Sequence, residues 1–409
     1  MKKLIGYDEA MRLTLENIET TGSETVDLAY LTGRVLAADL VAMVDSPSID
    51  ASLKDGYAVQ SRDLIRASED NPVTLVLDGH ISAGGPAGNT VVAGKAVRIT
   101  TGGPIPDGAD AVLSEEFVRL NKNHITCTNT AESGRNILPR GTDIRKGETV
   151  AQRFETITPA LTGLIATAGL QSAAVFRLPL AAVIATGDEV VAPGRPLPEG
   201  KLYASNLVEI CAWLRHYQIG YRVDMARDKK TDILRAIREA QPHVDAFITS
   251  GGIWGSERDL MIQVLDELNW RGVYHRARIG PGKAIAFGLL GDKPFFCLPG
   301  GPPSNEMAFL QIALPGLLKM KGETTIRFPM ATAQLTETVR GDRDWTQFIH
   351  ARVWAEGHKL LVRPLKQKSR LQSMARKNAL VVIPEGTDEL KEKAMIDVQL
   401  IGYPSGLRS

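Results

Sequence analysis

The stretch VDAFITSGGIWGSERDLMIQVLDEL, residues 244–268, changes character twice. Val244 to Thr249 is apolar and β-branched, the composition of a strand buried on both faces. Ser250, Gly251 and Gly252 break that run, and Glu257, Arg258 and Asp259 follow around Trp254. From Arg258 to Leu268 the apolar residues recur at helical spacing. A buried strand, a glycine turn and a helix make the repeating unit of an α/β domain.

The same unit recurs on both sides, from about 178 to 322. LAAVIAT (180–186), IGYRVDMARD (219–228) and KPFFCLPG (293–300) read as strands, two of them with the loops that follow. ASNLVEICAWLRHYQ (204–218), KTDILRAIREAQ (230–241) and SNEMAFLQIALPGLLKM (304–320) read as helices. The alternation predicts a doubly wound parallel sheet with ligands outside the carboxyl ends of its strands.

The flanks are different. Residues 6–20 have the spacing of an amphipathic helix. From about 23 to 150 short β-rich runs are punctuated by Gly and Pro. Residues 157–170 return to helix, with Pro159 near the first turn. Beyond about 326 a small all-β tail closes the chain. The resulting plan is a helical linker in two parts (1–22 and 146–177) around a β-rich inserted domain (23–145). The α/β domain (178–326) and a C-terminal β domain (327–409) follow.

The 48 Lys and Arg nearly balance the 47 Asp and Glu, which argues against a nucleic-acid binder reliant on bulk positive charge. The 44% hydrophobic content with 38 Gly and 22 Pro fits a folded, turn-rich protein. Cys127, Cys211 and Cys297 are far apart and odd in number, offering no disulfide framework or CxxC site and suggesting a reducing compartment. The seven His show no HExxH spacing. MKKLIGYDEA lacks an apolar core before Asp8 and Glu9, and no uncharged apolar run reaches about 18 residues. A soluble, cytoplasmic protein without membrane contact is expected.

Three strand ends share one design. VIATGDEV ends in Thr186, Gly187, Asp188 and Glu189, VDMARDKKTD carries Asp228, and the opening stretch carries Ser250, the glycine pair and Asp259. Glycine lets backbone N–H groups approach a phosphate. Acids at such a mouth repel phosphate unless a divalent cation lies between them, and hard oxygen donors suit Mg²⁺. GPGKAIAFG adds Lys283, a point charge for an anion. In the β-rich region, SPSIDASLKDGYAV places Asp55 at an Asp-Gly turn, and LPRGTDIRKGE places Arg140 near Asp143. Each of these is also compatible with an ordinary turn or surface pair.

Taken together the segments resemble the MoeA family of molybdopterin molybdenumtransferases, which includes the gephyrin E domain. The resemblance spans nearly the whole chain. It is carried by DSPSIDASLKDGYA (45–58), RITTGGPIPDGADAV (98–112), LPRGTDI (138–144), IATGDEV (184–190), TSGGIWGSERD (249–259), GPGKA (280–284) and LPGGPPS (298–304). It implies insertion of molybdate, or tungstate, into adenylylated molybdopterin with release of AMP, assisted by Mg²⁺. It also implies a homodimer with composite active sites, and transient contact with the molybdopterin adenylyltransferase and acceptor molybdoenzymes. Asp55, Glu189, Asp228 and Asp259 become the candidate catalytic residues, the last three also the metal ligands. Thr101, Arg140, Asp143, Thr186, Gly187, Ser250, Gly251, Gly252, Lys283, Pro299, Gly300 and Ser369 become the candidate cofactor-binding residues.

The chain departs from the family pattern in several places. Lys54 stands for a Met, Ala51 for an Asn, Trp254 for a Ser, Gly280 for a Lys and Gly301 for an Asn. His350 stands for an Arg and Lys368 for a Gly. Two other functions remain open at this point: a nucleotide pyrophosphatase sharing the α/β domain, and a catalytically weakened scaffold.

Overall fold

The computed structural model describes residues 1–88, 90–251, 260–366 and 368–403. It divides into two compact units, one of residues 1–24 with 176–409 and one of residues 25–175. Strand β1 (Lys2–Gly6) and helix α1 (Tyr7–Glu16) open the larger unit. Sequence periodicity finds α1 but not β1, because Lys2 and Lys3 disguise a strand in which Ile5 is the one buried residue.

The smaller unit is built on β2 (Gly56–Val59), β3 (Val73–Ile81), β4 (Lys95–Ile99), β5 (Ala111–Ser114), β6 (Val118–Asn121) and β7 (His124–Cys127). They form one sheet in the order β5-β2-β4-β3-β7-β6. Its two faces bury separate apolar sets, Tyr57, Val59 and Leu113 in one, Ala58, Val97 and Val112 in the other. The alternation along β2 makes both faces interior. Helix α2 (Pro159–Thr167) begins where Thr158 caps it, its hydroxyl accepting from the Leu161 N–H, with Pro159 in the first turn.

In the larger unit the chain resumes with β8 (Leu180–Thr186), α3 (Ser205–His216), β9 (Gly220–Ala226), α4 (Lys230–Ala240), β10 (Ala246–Ser250) and α5 (Leu260–Glu267). A hairpin, β11 (Arg271–Gly280) and β12 (Ala286–Leu290), precedes β13 (Lys293–Leu298). A long helix follows: α6 (Pro302–Ala308) widens to a π-helical turn at Phe309–Ala313 and continues as α7 (Leu314–Met320). The C-terminal region contains β14 (Met330–Leu335), β15 (Thr346–Glu356), β16 (Lys359–Pro364), α8 (Arg370–Arg376), β17 (Ala379–Ile383) and β18 (Met395–Leu400).

Strands β9, β8, β10 and β13 lie side by side and parallel, as the alternation predicts. Beyond β13 the sheet is mixed, because β12 pairs antiparallel with β13 and with β11. The hairpin escapes a reading that expects a helix between successive strands. β11 in turn pairs parallel with β1 and β15, so the C-terminal strands continue the same sheet. The tail also contains α8, a helix where only strands are expected from sequence.

Ala181, Val183, Ala185, Ala246, Ile248, Phe296 and Leu298 bury against one helical layer with α1, α3, α6 and α7. Ala182, Ile184, Phe247, Phe295 and Cys297 bury against α4 and α5. Each strand therefore hides both faces, which is why it reads as an unbroken apolar run. Phe247 and Phe295 stack across β10 and β13 with ring centroids 4.9 Å apart. Burying such side chains contributes about 1.5–3 kcal/mol each, and it fixes the strand ends that carry the polar loops. Among the described residues no helix is long and apolar enough to cross a membrane.

Candidate active site at the carboxyl ends of the strands

The loops after β8, β10 and β13 meet over the edge of the parallel sheet. Two glycines make the approach possible. Gly251 has φ +99°, and a Cβ there would stand 2.4 Å from the Thr186 carbonyl oxygen. Gly187 has φ +142°, and a Cβ there would stand 2.7 Å from Glu189 Oε2. Only glycine tolerates both demands. Gly300, after β13, comes so close that its Cβ would lie 3.6 Å from the Gly251 Cα.

These loops enclose an open cleft of about 90 Å³, walled by Thr186, Glu189, Ser250, Gly251 and Gly300 and by the first turns of α3 and α6. Thr186 is 3% exposed, and among the described residues its hydroxyl has no hydrogen-bond partner. An unpaired buried hydroxyl costs on the order of 1–3 kcal/mol, so such groups are usually spoken for.

Asp228, two residues beyond β9, joins the mouth through the neighbouring loop. Its N–H donates to Asp188 Oδ1 at 3.3 Å. Partial burial, reinforced by the like charges of Glu189 and Asp188, raises the Asp228 carboxyl above its ordinary value. Lys201 donates from Nζ to the Asp188 carbonyl at 2.7 Å. Among the described residues no three His, Cys, Asp or Glu side chains stand together in a metal-ready group. Gly252 and Asp259 lie outside the described residues.

Sequence reasoning passes over two asparagines that organise this cleft. Asn206, on α3, donates to Ser250 Oγ at 3.3 Å and to the Gly300 carbonyl at 2.8 Å. Asn305, on α6, donates to the same Oγ at 3.0 Å and to the Pro299 carbonyl at 2.8 Å. Ser250, Pro299 and Gly300 are thus held by amides on two helices. The only signal in the sequence is an Asn following a Ser at each helix start, in ASNL and PSNE.

Lys283 stands apart from the residues lining the cleft, with its Nζ 5.1 Å from the centre of the Trp345 ring. Ser369 caps α8, its hydroxyl accepting from the Gln372 N–H at 3.3 Å. In the smaller unit, Asp55 Oδ1 accepts from the Thr101 N–H at 2.6 Å and from its hydroxyl at 3.0 Å. Those two bonds, backbone first, hold the Asp55 carboxyl below the ordinary range. Arg140 pairs with Asp45 Oδ2 at 2.6 Å, while Asp143 is exposed and its N–H bonds to the Ser46 carbonyl. The sequence places Arg140 beside Asp143, but the turn at Gly141 directs it to Asp45 instead, a pair whose arginine is exposed and whose aspartate is half-buried.

Comparisons with known proteins fit this arrangement. The MoeA N-terminal region (domain I and II) matches residues 5–169, a probable molybdopterin binding domain residues 182–319, and the MoeA C-terminal region (domain IV) residues 332–401. The molybdopterin molybdenumtransferase of Bacillus subtilis is 30% identical, covering 98% of this chain and 95% of its own. That of Haemophilus influenzae is 32% identical over 82% of this chain and 84% of its own. The crystal structure of the molybdopterin biosynthesis MoeA protein from Pyrococcus horikoshii superposes with a TM-score of 0.86 at 30% identity, covering 98% of this chain and all of that one. The matches continue through both flanks of the α/β domain, and on that extent the chain belongs to the MoeA family.

Proposed function

We propose that this protein is a molybdopterin molybdenumtransferase, which inserts molybdate or tungstate into adenylylated molybdopterin and releases AMP. The observation that carries the reading is the meeting of the acidic loops at Asp188–Glu189 and Asp228 beside the glycine-lined cleft. Carboxylates packed close enough to raise the proton affinity of Asp228 also favour a divalent cation. The donor set is all hard oxygen, which suits Mg²⁺. Glu189, Asp228 and Asp259 would hold it, and it would spread the negative charge that develops as the phosphoanhydride cleaves.

The chain's own groups have complementary roles. The approach of Gly251 and Gly300 leaves backbone open to a phosphate, over the buried hydroxyl of Thr186. Lys283, outside the cleft lining, would supply positive charge to a part of the substrate that extends beyond it. Asp55, ionised and held by Thr101, would come from the second subunit of a homodimer, together with Thr101 and Arg140. Each composite site would then pair Asp259 of one chain with the partner subunit's Asp55. A pyrophosphatase confined to the α/β domain is not favoured, because the family matches also cover 5–169 and 332–401.

Incubation of the purified protein with adenylylated molybdopterin, Mg²⁺ and molybdate or tungstate should yield AMP and metal-loaded cofactor together. AMP without metal incorporation would favour the pyrophosphatase. Neither product would favour a non-catalytic binding role. The composite site is tested by mixing Asp55→Asn with Asp259→Asn chains, each inactive alone. Random reassortment should restore about a quarter of wild-type sites. No recovery, with mixed dimers verified by tagged pull-down, would refute a shared site.

A further inference from the structure

One helical turn below the cleft, α3 and α6 are joined by a buried charge network that the proposed chemistry leaves unused. Glu209 follows Asn206 on α3, and Glu306 follows Asn305 on α6. The Glu306 side chain is 0% exposed. Its Oε2 lies 2.8 Å from His350 Nε2, on β15, and its Oε1 accepts from Lys377 Nζ, just beyond α8. Those two side chains are only 11% and 5% exposed. The Glu209 carboxyl meets that of Glu306, with the Trp213 indole beside it. The charged or titratable groups facing the pair are therefore His350 and Lys377, with Trp213 as a neutral donor.

Two carboxyls in hydrogen-bond contact need a proton between them. Burial opposes ionisation of Glu306, but the His350 bond and the Lys377 charge outweigh it and hold Glu306 below its ordinary value. Burial, then the bond to and charge of Glu306, push Glu209 up to about 8. At neutral pH Glu209 is neutral beside the ionised Glu306. Removing the Glu209 proton places a second negative charge against Glu306.

We propose that Glu209 and Glu306 are positioning residues of the cleft, whose contact holds α3 and α6 at the spacing that places Asn206 and Asn305 on Ser250. This deepens the active-site reading and rests on it, but the contact itself can be measured without turnover.

Folded Glu209 keeps its proton to about pH 8, whereas the unfolded chain releases it near the ordinary glutamate value. Its stabilisation is full below the unfolded value and is lost as pH rises through the folded one. Across that window the unfolding constant should rise up to about tenfold per pH unit. Glu209→Gln keeps the neutral form at every pH. Denaturant unfolding of the full chain, wild type and Glu209→Gln, between about pH 6 and 9 should show the variant gaining on wild type until about pH 8. Amide exchange at 204–210 and 302–306, corrected for intrinsic rate, should accelerate above that pH in wild type only. AMP release should have an alkaline limb in wild type that the variant lacks. Parallel stability profiles, or exchange unchanged by the substitution, would overturn the proposal. If stability and exchange behave as stated but wild type releases no AMP, the helix contact stands and the active-site reading fails.

Discussion

Gly251→Ala is the sharpest probe of the cleft, and Gly300→Ala is its matched control. At Gly251 the backbone has φ +99°, where an L-residue pays about 1–2 kcal/mol. The new Cβ would also stand 2.4 Å from the Thr186 carbonyl, at the last residue of β8. Relieving that overlap means moving a strand end or the following turn, an overpacking cost of about 1–3 kcal/mol. The sum is about 2–5 kcal/mol. At Gly300 the Cβ meets only the Gly251 Cα at 3.6 Å, an ordinary contact, and φ is not positive. That substitution should cost less than about 0.5 kcal/mol. All five tryptophans lie between 213 and 354, so their fluorescence during urea unfolding reports the larger unit alone. Gly251→Ala should lower the urea midpoint clearly and reduce AMP release, while Gly300→Ala should unfold like wild type. Equal midpoints for the two variants would refute the strand-to-loop contact on which the cleft is built.

Asp228→Asn should remove most turnover yet leave the free protein as stable as wild type at pH 7, or stabler by up to about 1 kcal/mol. The raised Asp228 carboxyl stabilises most below its unfolded value and loses that as pH rises through the folded one, so the variant's gain should vanish toward pH 4. Urea titrations at both pH values check the sign, and a loss of stability at pH 7 would contradict it. Trp345→Ala should weaken pyrophosphate binding about two- to fivefold, the equivalent of an exposed cation–π contact at Lys283. Calorimetry on this variant and on Trp345→Phe, which keeps an aromatic face, distinguishes the ring from general disruption; an unchanged affinity in Trp345→Ala removes Trp345 from the anion site.

The parallel core of the fold is legible because β8, β10 and β13 bury both faces and so show unbroken apolar runs. The loops are legible for a related reason. Glycines and acids directly after such runs break the apolar pattern, so Gly187, Glu189, Asp228 and Gly251 stand out, with Ser250 at the last position of its strand. β1 and the β11–β12 hairpin are not legible, because their place in the sheet comes from pairing with strands distant in sequence. Periodicity within a segment contains no information about such partners.

The same limit explains why the polar scaffold of the cleft escapes sequence reasoning. Asn206, Glu209, Asn305 and Glu306 look like ordinary polar positions on amphipathic helices, and His350 looks like a lost Arg. Each acquires meaning only when α3, α6 and β15 bring it to a partner: Asn206 and Asn305 to one serine, Glu209 and His350 to one carboxylate. Buried polar groups gain from such networks only when every member is satisfied. The departures at 280 and 301 divide on the same ground. A Cβ at Gly301 meets nothing within 4 Å, and its φ −69° and ψ 126° suit a helix cap, so Gly301→Asn should be accepted and gain a few tenths of a kcal/mol. A Cβ at Gly280 meets the Gln347 Cγ at 3.2 Å, and Gln347 Oε1 already accepts from the Asp342 N–H at 2.6 Å. Gly280→Lys must therefore displace a side chain that organises the turn before β15. A lysine at 280 would collide with its surroundings, whereas an asparagine at 301 would find open space.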